Sequence, residues 1–168
     1  MTLNPIQVEH YREFKEIDRN VDNKVEFDEF KEYMIKKDKR FGHGEQSLKR
    51  IFKLIDQNGN GVIEFSEYDR FLKIVEKLDF KKEKDAHRFI FRILDLNGDN
   101  QINKFEFTRY IGIFEIELDG TLDEYFGYVD RNGDGFVDEE EFLKFSLPFA
   151  VKDFNDSLYD PDYVEEEY

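Results

Sequence analysis

Hydrophobic residues recur along the 168-residue chain in four similar stretches, each divided by a polar segment of twelve residues. A phenylalanine lies four residues before every segment: Phe14, Phe52, Phe91 and Phe126. An aromatic residue follows each segment directly and another comes three residues later, which places both on one face of a predicted helix. These pairs are Phe30 with Tyr33, Tyr68 with Phe71, Phe107 with Tyr110, and Phe142 with Phe145. The pattern predicts an all-α protein of four repeated helix-loop-helix units with an aromatic core.

The four polar segments share one pattern of oxygen-bearing side chains. They cover residues 18–29, 56–67, 95–106 and 130–141, and read DRNVDNKVEFDE, DQNGNGVIEFSE, DLNGDNQINKFE and DRNGDGFVDEEE. Position 1 is always Asp, position 3 always Asn and position 12 always Glu, while position 5 is Asp or Asn. Oxygen atoms at these spacings can surround a hard cation such as Ca²⁺ from one short turn.

The segments resemble the calcium loop of the EF-hand superfamily, in particular its four-hand calmodulin-like and sarcoplasmic calcium-binding branches, and the resemblance covers about residues 6–147. It implies four Ca²⁺ sites, for which Mg²⁺ is an expected competitor. Position 7 would contribute its backbone carbonyl and the other ligand positions their side chains. The implied ligands are Asp18, Asn20, Asp22, Lys24, Glu26 and Glu29; Asp56, Asn58, Asn60, Val62, Glu64 and Glu67; Asp95, Asn97, Asp99, Gln101, Asn103 and Glu106; and Asp130, Asn132, Asp134, Phe136, Asp138 and Glu141.

The resemblance also implies two lobes, each a pair of hands joined by a short two-stranded β-ribbon between the loops. In the first lobe residues 24–26 would face residues 62–64, and in the second residues 101–103 would face residues 136–138. We expect an N-terminal hand pair within 1–80, a C-terminal hand pair within 81–148 and an acidic aromatic tail at 149–168.

Several local signals predict where helices begin and end. Asn4 followed by Pro5 is typical of a helix start, and this first helix should run to about Ile17. Thr121 and Glu124 form a capping-box pattern that should open the seventh helix, and proline at position 148 should stop the eighth. Residues 78–85, LDFKKEKD, connect the lobes and fit either a helical or a bent segment.

Composition and charge exclude several classes of protein. The chain has no cysteine, so disulfides and thiolate metal sites are excluded. Its net charge of -15 has the wrong sign for binding nucleic acid. The loops contain 14 candidate ligand carboxylates, and without them 26 acidic residues would face 25 basic ones. Without a visible signal peptide, membrane anchor or apolar span, we expect a cytoplasmic protein.

Position 6 of the loop requires a positive φ, which glycine adopts most easily, yet two loops carry Asn23 and Asn100 there. We expect both loops to bind with reduced affinity. The fourth loop combines four acidic ligands with Gly135 and is the predicted tightest site. His10, His43 and His87 lack metal-ligand spacing, and we interpret them as surface or helix-flank residues. The chain carries no nucleophile or phosphate-binding motif, so we expect no enzyme activity.

Two functions fit this architecture. A calcium sensor would open each lobe and expose a Phe-rich groove for an amphipathic helix of a partner protein. A calcium buffer would keep its lobes closed, or would fill a groove with its own tail at 149–168. The chain has only two methionines and 19 phenylalanines, which indicates a stiffer and more selective groove than a Met-rich one. We place the sensor slightly ahead, acting as a monomer.

Overall fold

The computed structural model describes residues 3–37, 44–79 and 83–145, without the side chains of residues 83, 84 and 86. Its helices are α1 (Pro5–Ile17), α2 (Phe27–Lys37), α3 (Glu45–Ile55), α4 (Phe65–Val75), α5 (Glu83–Leu94), α6 (Lys104–Phe114), α7 (Leu122–Val129) and α8 (residues 139–145 as far as it is described). Two short strands, β1 (Lys24–Val25) and β2 (Ile63–Glu64), complete the elements. The predicted all-α fold with a short ribbon is confirmed.

Helix starts follow the predicted capping chemistry. The Asn4 side chain accepts a hydrogen bond from the Gln7 amide at 2.9 Å, and Pro5 opens α1, which ends at Ile17 as predicted. Thr121 accepts from the Glu124 amide at 3.2 Å and opens α7. In both cases the side chain at the third helical position bonds back to the cap amide, so both helices begin with a complete capping box.

Residue contacts divide the chain into two compact units. The first contains the described residues up to Arg70 and the second those from Phe71 onward, so the division falls inside α4. The expected lobe boundaries at 80 and 148 remain a prediction. Residues 78 and 79 of the connector are not helical, whereas Glu83 already belongs to α5. Proline 148 and the tail at 149–168 lie outside the described residues.

Each unit joins its two loops by antiparallel pairing at loop position 8. In the first unit Val25 faces Ile63 and Lys24 faces Glu64. In the second, the Ile102 amide donates to the Val137 carbonyl at 2.8 Å and the Val137 amide returns the bond at 2.9 Å. The pairing in the second unit is this single bridge, shorter than the predicted ribbon. All four position-8 side chains are buried, so the pairing ties loop geometry directly to the cores.

The aromatic residues of the repeat form the two cores, as the pattern predicts. Phe14, Phe52, Phe91 and Phe126 are all buried, and so are the residues directly after the loops. Three residues further on, Tyr110 and Phe145 are buried while Tyr33 and Phe71 are half-buried. No helix among the described residues is both long and apolar enough to cross a membrane.

Candidate metal centre

The first ligand position of every loop is fixed by the end of the preceding helix. The Asp18 amide donates to the Phe14 carbonyl at 3.0 Å, and the first Asp of each other loop bonds likewise to the phenylalanine four residues earlier. The phenylalanine side chain anchors the helix in the core while its carbonyl holds the Asp backbone. The repeated phenylalanine therefore accounts both for the periodic pattern in the sequence and for the position of the first ligand.

The position-1 carboxylates organise the turn that follows them. In the fourth loop Asp130 Oδ1 accepts from the amides of Gly133 at 2.8 Å and Asp134 at 3.2 Å, and its Oδ2 accepts from Gly135 at 2.9 Å. The first, second and third loops repeat the bonds from positions 5 and 6. These bonds wrap the backbone around one buried carboxylate, and they satisfy a charge that burial would otherwise make costly.

The position-12 glutamates close each loop from its other end. Glu141 Oε1 accepts from the Arg131 and Asn132 amides at 2.9 and 3.1 Å, while its Oε2 accepts from the Asp138 amide at 3.0 Å. Glu29, Glu67 and Glu106 make corresponding bonds to position 2 and to position 9. All four glutamates are buried, so each loop joins two buried carboxylates through its own backbone.

The intermediate positions have a second, structural role that the sequence pattern did not reveal. Asn103 accepts from the Glu106 amide at 3.0 Å, and Asp138 accepts from the Glu141 amide at 2.8 Å, so position 9 caps the helix that follows. Positions 3 and 5 are solvent-exposed in every loop. The Asn side chain at position 3 accepts a hydrogen bond from the backbone amide of position 5 in all four loops.

The donor set suits a hard divalent cation. Each loop offers buried carboxylates at positions 1 and 12 and exposed oxygen-bearing side chains at positions 3 and 5, the ligand type that Ca²⁺ prefers. Among the described residues, no group of three or more Asp, Glu or His side chains is close enough to hold an ion as placed. Loop amides donate to these carboxylate oxygens, and the side chains would have to rearrange to converge on an ion. The 24 ligand assignments stay predictions.

Backbone conformation separates the first loop from the others. Asn23 and Asn100 have φ of 67° and 63°, as predicted for position 6. Position 4 also has positive φ, and three loops use glycine there: Gly59, Gly98 and Gly133. The first loop instead places Val21 at φ 61°, a conformation that a β-branched side chain rarely adopts. A comparison of position 4 across the four segments would have revealed this feature in the sequence.

Lys15 lies against the first loop. Its Nζ donates to Asp18 Oδ2 at 2.7 Å and to Asn23 Oδ1 at 2.8 Å. Burial alone would raise the pKa of Asp18, but the hydrogen bonds from Lys15 and from the Asn23 amide hold that pKa below its usual value. Lys15 is the residue that sequence inspection of the ligand positions missed, because it lies three residues before the loop.

Two of the histidines are not where the sequence analysis placed them. His10 and His87 are only 3% and 2% exposed, so the surface interpretation is wrong for both, and His43 lies outside the described residues. His10 Nδ1 lies 2.7 Å from Asp69 Oδ1, which joins α1 to α4. A buried polar partner of this kind cannot be recognised from spacing, because the two residues are 59 positions apart.

Comparison with known proteins agrees with the loop geometry. Family models described as an EF-hand domain pair match residues 45–112, 84–147 and 11–37, which together cover well over half of the chain. No curated protein matches the chain. With four loops of one hydrogen-bonding design, paired two by two and matched along most of its length, this chain belongs to the EF-hand family of calcium-binding proteins.

Proposed function

We propose that the protein is a four-site calcium sensor whose C-terminal hand pair, α5 to α8, exposes aromatic surface for an amphipathic helix of a partner protein. The observation that supports this choice is a buried aromatic cluster shared by α6, α7 and α8. Phe107 contacts Tyr110, Phe126 and Phe145 with ring centroids 5.5 to 6.1 Å apart. Separation of these helices would expose large apolar rings of the kind that bind a helix in a groove.

Ligand and core residues are neighbours in the sequence, which supplies the coupling. Glu106 lies in the first turn of α6 and directly precedes Phe107, and Glu141 precedes Phe142 in the same way. Glu106 now accepts amides from Leu96 and Asn103. Exchange of these bonds for a cation moves the first turn of α6, and the adjacent core ring moves with it. Such a shift converts ion binding into a change of helix packing.

The N-terminal pair, α1 to α4, favours the second candidate function, a closed calcium buffer. Buried or half-buried polar bonds tie α1 to α4 and α2 in this pair. Asp69 accepts from Gln7 at 3.2 Å in addition to its contact with His10, and Tyr33 donates to Glu13 at 2.8 Å. Opening would break these bonds, so this pair is expected to bind ions with little change of shape.

Calorimetric titration tests the number of sites. We expect four Ca²⁺ per chain because every loop retains Asp at position 1 and Glu at position 12. Mg²⁺ at millimolar concentration should weaken the apparent Ca²⁺ affinity, since both are hard cations that take oxygen ligands. A stoichiometry of two or fewer contradicts the four-site proposal.

A fluorescent apolar-surface probe tests the sensor. Calcium should increase probe binding to the unmodified protein and to the Glu29→Gln/Glu67→Gln variant, whose lost ligands lie in the N-terminal pair. The matched Glu106→Gln/Glu141→Gln variant should lose the increase. No calcium-dependent binding in any form identifies a buffer with closed lobes, provided that titration has shown ion binding.

The proposal extends to a monomer in the cytoplasm, bound to neither nucleic acid nor membrane, with a partner helix as its target. The alternative in which a groove is filled from within concerns the tail at 149–168. Deletion of this tail should then increase calcium-dependent probe binding and lower thermal stability. An unchanged response would leave an open groove for a separate partner.

A further inference from the structure

A lysine ammonium group at the end of α1 lies against the first loop. Lys15 Nζ bridges the position-1 carboxylate of Asp18 and the position-6 amide oxygen of Asn23, at 2.7 and 2.8 Å. Asp18 is only 1% exposed. A buried carboxylate requires a partner, and the lysine ammonium is a charged one. Lys15 therefore balances the negative charge of Asp18, as a bound ion would do in this loop.

The same loop carries the least favourable backbone of the four. Val21 and Asn23 both adopt left-handed conformations, at φ 61° and 67°. The second and fourth loops have glycine at both corresponding positions. Because the Lys15 bond holds the Asn23 side chain, it also stabilises one of the two strained residues while no ion is bound.

The register of Lys15 allows a comparison with the fourth loop. Lys15 lies three residues before its loop. The second and third loops also have a basic residue at this register, Lys53 and Arg92, whereas the corresponding residue before the fourth loop is Gly127 in α7. A Cβ added at Gly127 would meet no atom within 4 Å, and this glycine has no positive φ. The fourth loop therefore lacks a side-chain cation at this register and has room for one.

We propose that Lys15 sets the calcium affinity of the first hand: its ammonium group stabilises the calcium-free loop and opposes binding of a divalent ion there. The inference rests on the proposed binding of calcium by this loop. The positive charge of Lys15 repels an incoming Ca²⁺ ion. Binding of the ion must also compensate for the loss of the Lys15–Asp18 contact that stabilises the calcium-free loop. The first hand is thus a weaker site than the fourth.

Removal of the charge tests this assignment. Lys15→Met should lower the thermal midpoint of the calcium-free protein and tighten calcium binding by the first hand by roughly tenfold, the order expected when one unit charge is removed from beside a divalent ion in water. The control is Arg12→Met, which removes the same charge from the same helix. Arg12 forms an exposed ion pair with Glu9 at 3.0 Å along α1, so this variant should change neither quantity appreciably.

Three further forms make the result specific. Lys15→Arg keeps the charge and should keep the weak affinity. In a Glu29→Gln background, which disables the first loop, Lys15→Met should no longer alter calcium binding. Gly127→Lys places an ammonium before the fourth loop and should weaken that site by a similar factor, an outcome that does not depend on whether Lys15→Met folds.

The outcomes separate this inference from the function on which it rests. If the unmodified chain binds no calcium, the proposed function fails. If it binds calcium but Lys15→Met matches Arg12→Met in affinity, Lys15 does not set the affinity of the first hand. A loss of stability in Lys15→Met with and without calcium, and no gain in affinity, identifies a purely structural lysine and overturns the proposal.

Discussion

The two hand pairs are built from the same repeat and both have aromatic cores, but they differ in how deeply the polar contacts between their helices are buried. In the N-terminal pair, α1 is joined to its neighbours by polar contacts, of which His10 with Asp69 is the most buried. In the C-terminal pair, rings from α6, α7 and α8 form a cluster around Phe107 and Tyr110. Separation of helices leaves the groups of a buried polar pair without partners, whereas the part-exposed contact of Arg88 with α8 in the C-terminal pair can be replaced by water. This difference is the physical basis for assigning the change of shape to the C-terminal pair.

The first loop extends the contrast to the ion sites. It alone among the four has a non-glycine residue with positive φ at position 4, and Lys15 bonds to its position-1 Asp. The fourth loop has glycine at both positive-φ positions and four acidic ligands. Loops with the same ligand pattern therefore differ in backbone strain and in the charged contacts that are present before an ion binds.

The largest expected effect is in the aromatic cluster. Phe107→Ala should destabilise the calcium-free C-terminal pair by about 3–5 kcal/mol, because the ring is 0% exposed and its loss leaves a cavity. The matched control on the same helix is Phe105→Ala, where the ring is 73% exposed and the change should stay within about 0.5 kcal/mol. Urea unfolding followed by far-UV circular dichroism measures both. Equal losses of unfolding free energy in the two variants would show that the aromatic cluster does not stabilise the C-terminal pair.

A smaller loss is expected at the polar contact of the N-terminal pair. Asp69→Leu removes the acceptor that faces His10 and Gln7, and should cost about 1–3 kcal/mol of unfolding free energy. Arg12→Ala breaks an exposed ion pair on α1 and should cost less than about 0.5 kcal/mol. If Asp69→Leu instead permits calcium-dependent probe binding by the N-terminal pair, the polar contacts are what keep it closed.

The backbone of the first loop can be improved by one substitution. Val21→Gly should stabilise the protein by roughly 0.5–1 kcal/mol, because glycine adopts a φ of 61° without the strain of a β-branched residue. Val8→Gly, in the exposed part of α1, should have the opposite sign, at about 0.5 kcal/mol. Thermal unfolding of the calcium-free protein compares them. The same sign for both variants would contradict the strain argument.

The smallest effect depends on pH. Burial raises the pKa of Glu13, but hydrogen bonds from Lys37 and Tyr33 outweigh it, and the pKa lies below its ordinary value of 4.5. The ionised group therefore stabilises the fold fully above that value, and the contribution is lost as pH falls through the lowered pKa. Tyr33→Phe should cost about 0.5 kcal/mol at neutral pH, because the bond to Glu13 is only part-buried, and the difference from the unmodified protein should shrink below about pH 4. Tyr128→Phe, at an exposed ring, should show no such trend.

Regular features of this chain were predictable from the sequence. The caps at Asn4 and Thr121 and the positive φ of Asn23 and Asn100 follow from local rules, and the structure has them all. The pairing at position 8 was implied by the resemblance to the EF-hand superfamily, and it is present in both units. The repeat also predicts the core aromatics, because each occupies the same register in four copies. Four repetitions of one pattern provide information that a single segment lacks.

Interactions between distant residues were decided only by tertiary structure. The contacts of His10 with Asp69 and of Tyr33 with Glu13 join residues 59 and 20 positions apart, and no periodicity relates them. Lys15 is close in sequence to Asp18, yet its bond to Asn23 requires the loop to turn back toward α1. The ligand pattern thus determines which oxygens can meet a cation, because their spacing lies within one turn. Packing determines which other charges lie beside those oxygens, here the ammonium group of Lys15, because it sets the position of residues outside the pattern.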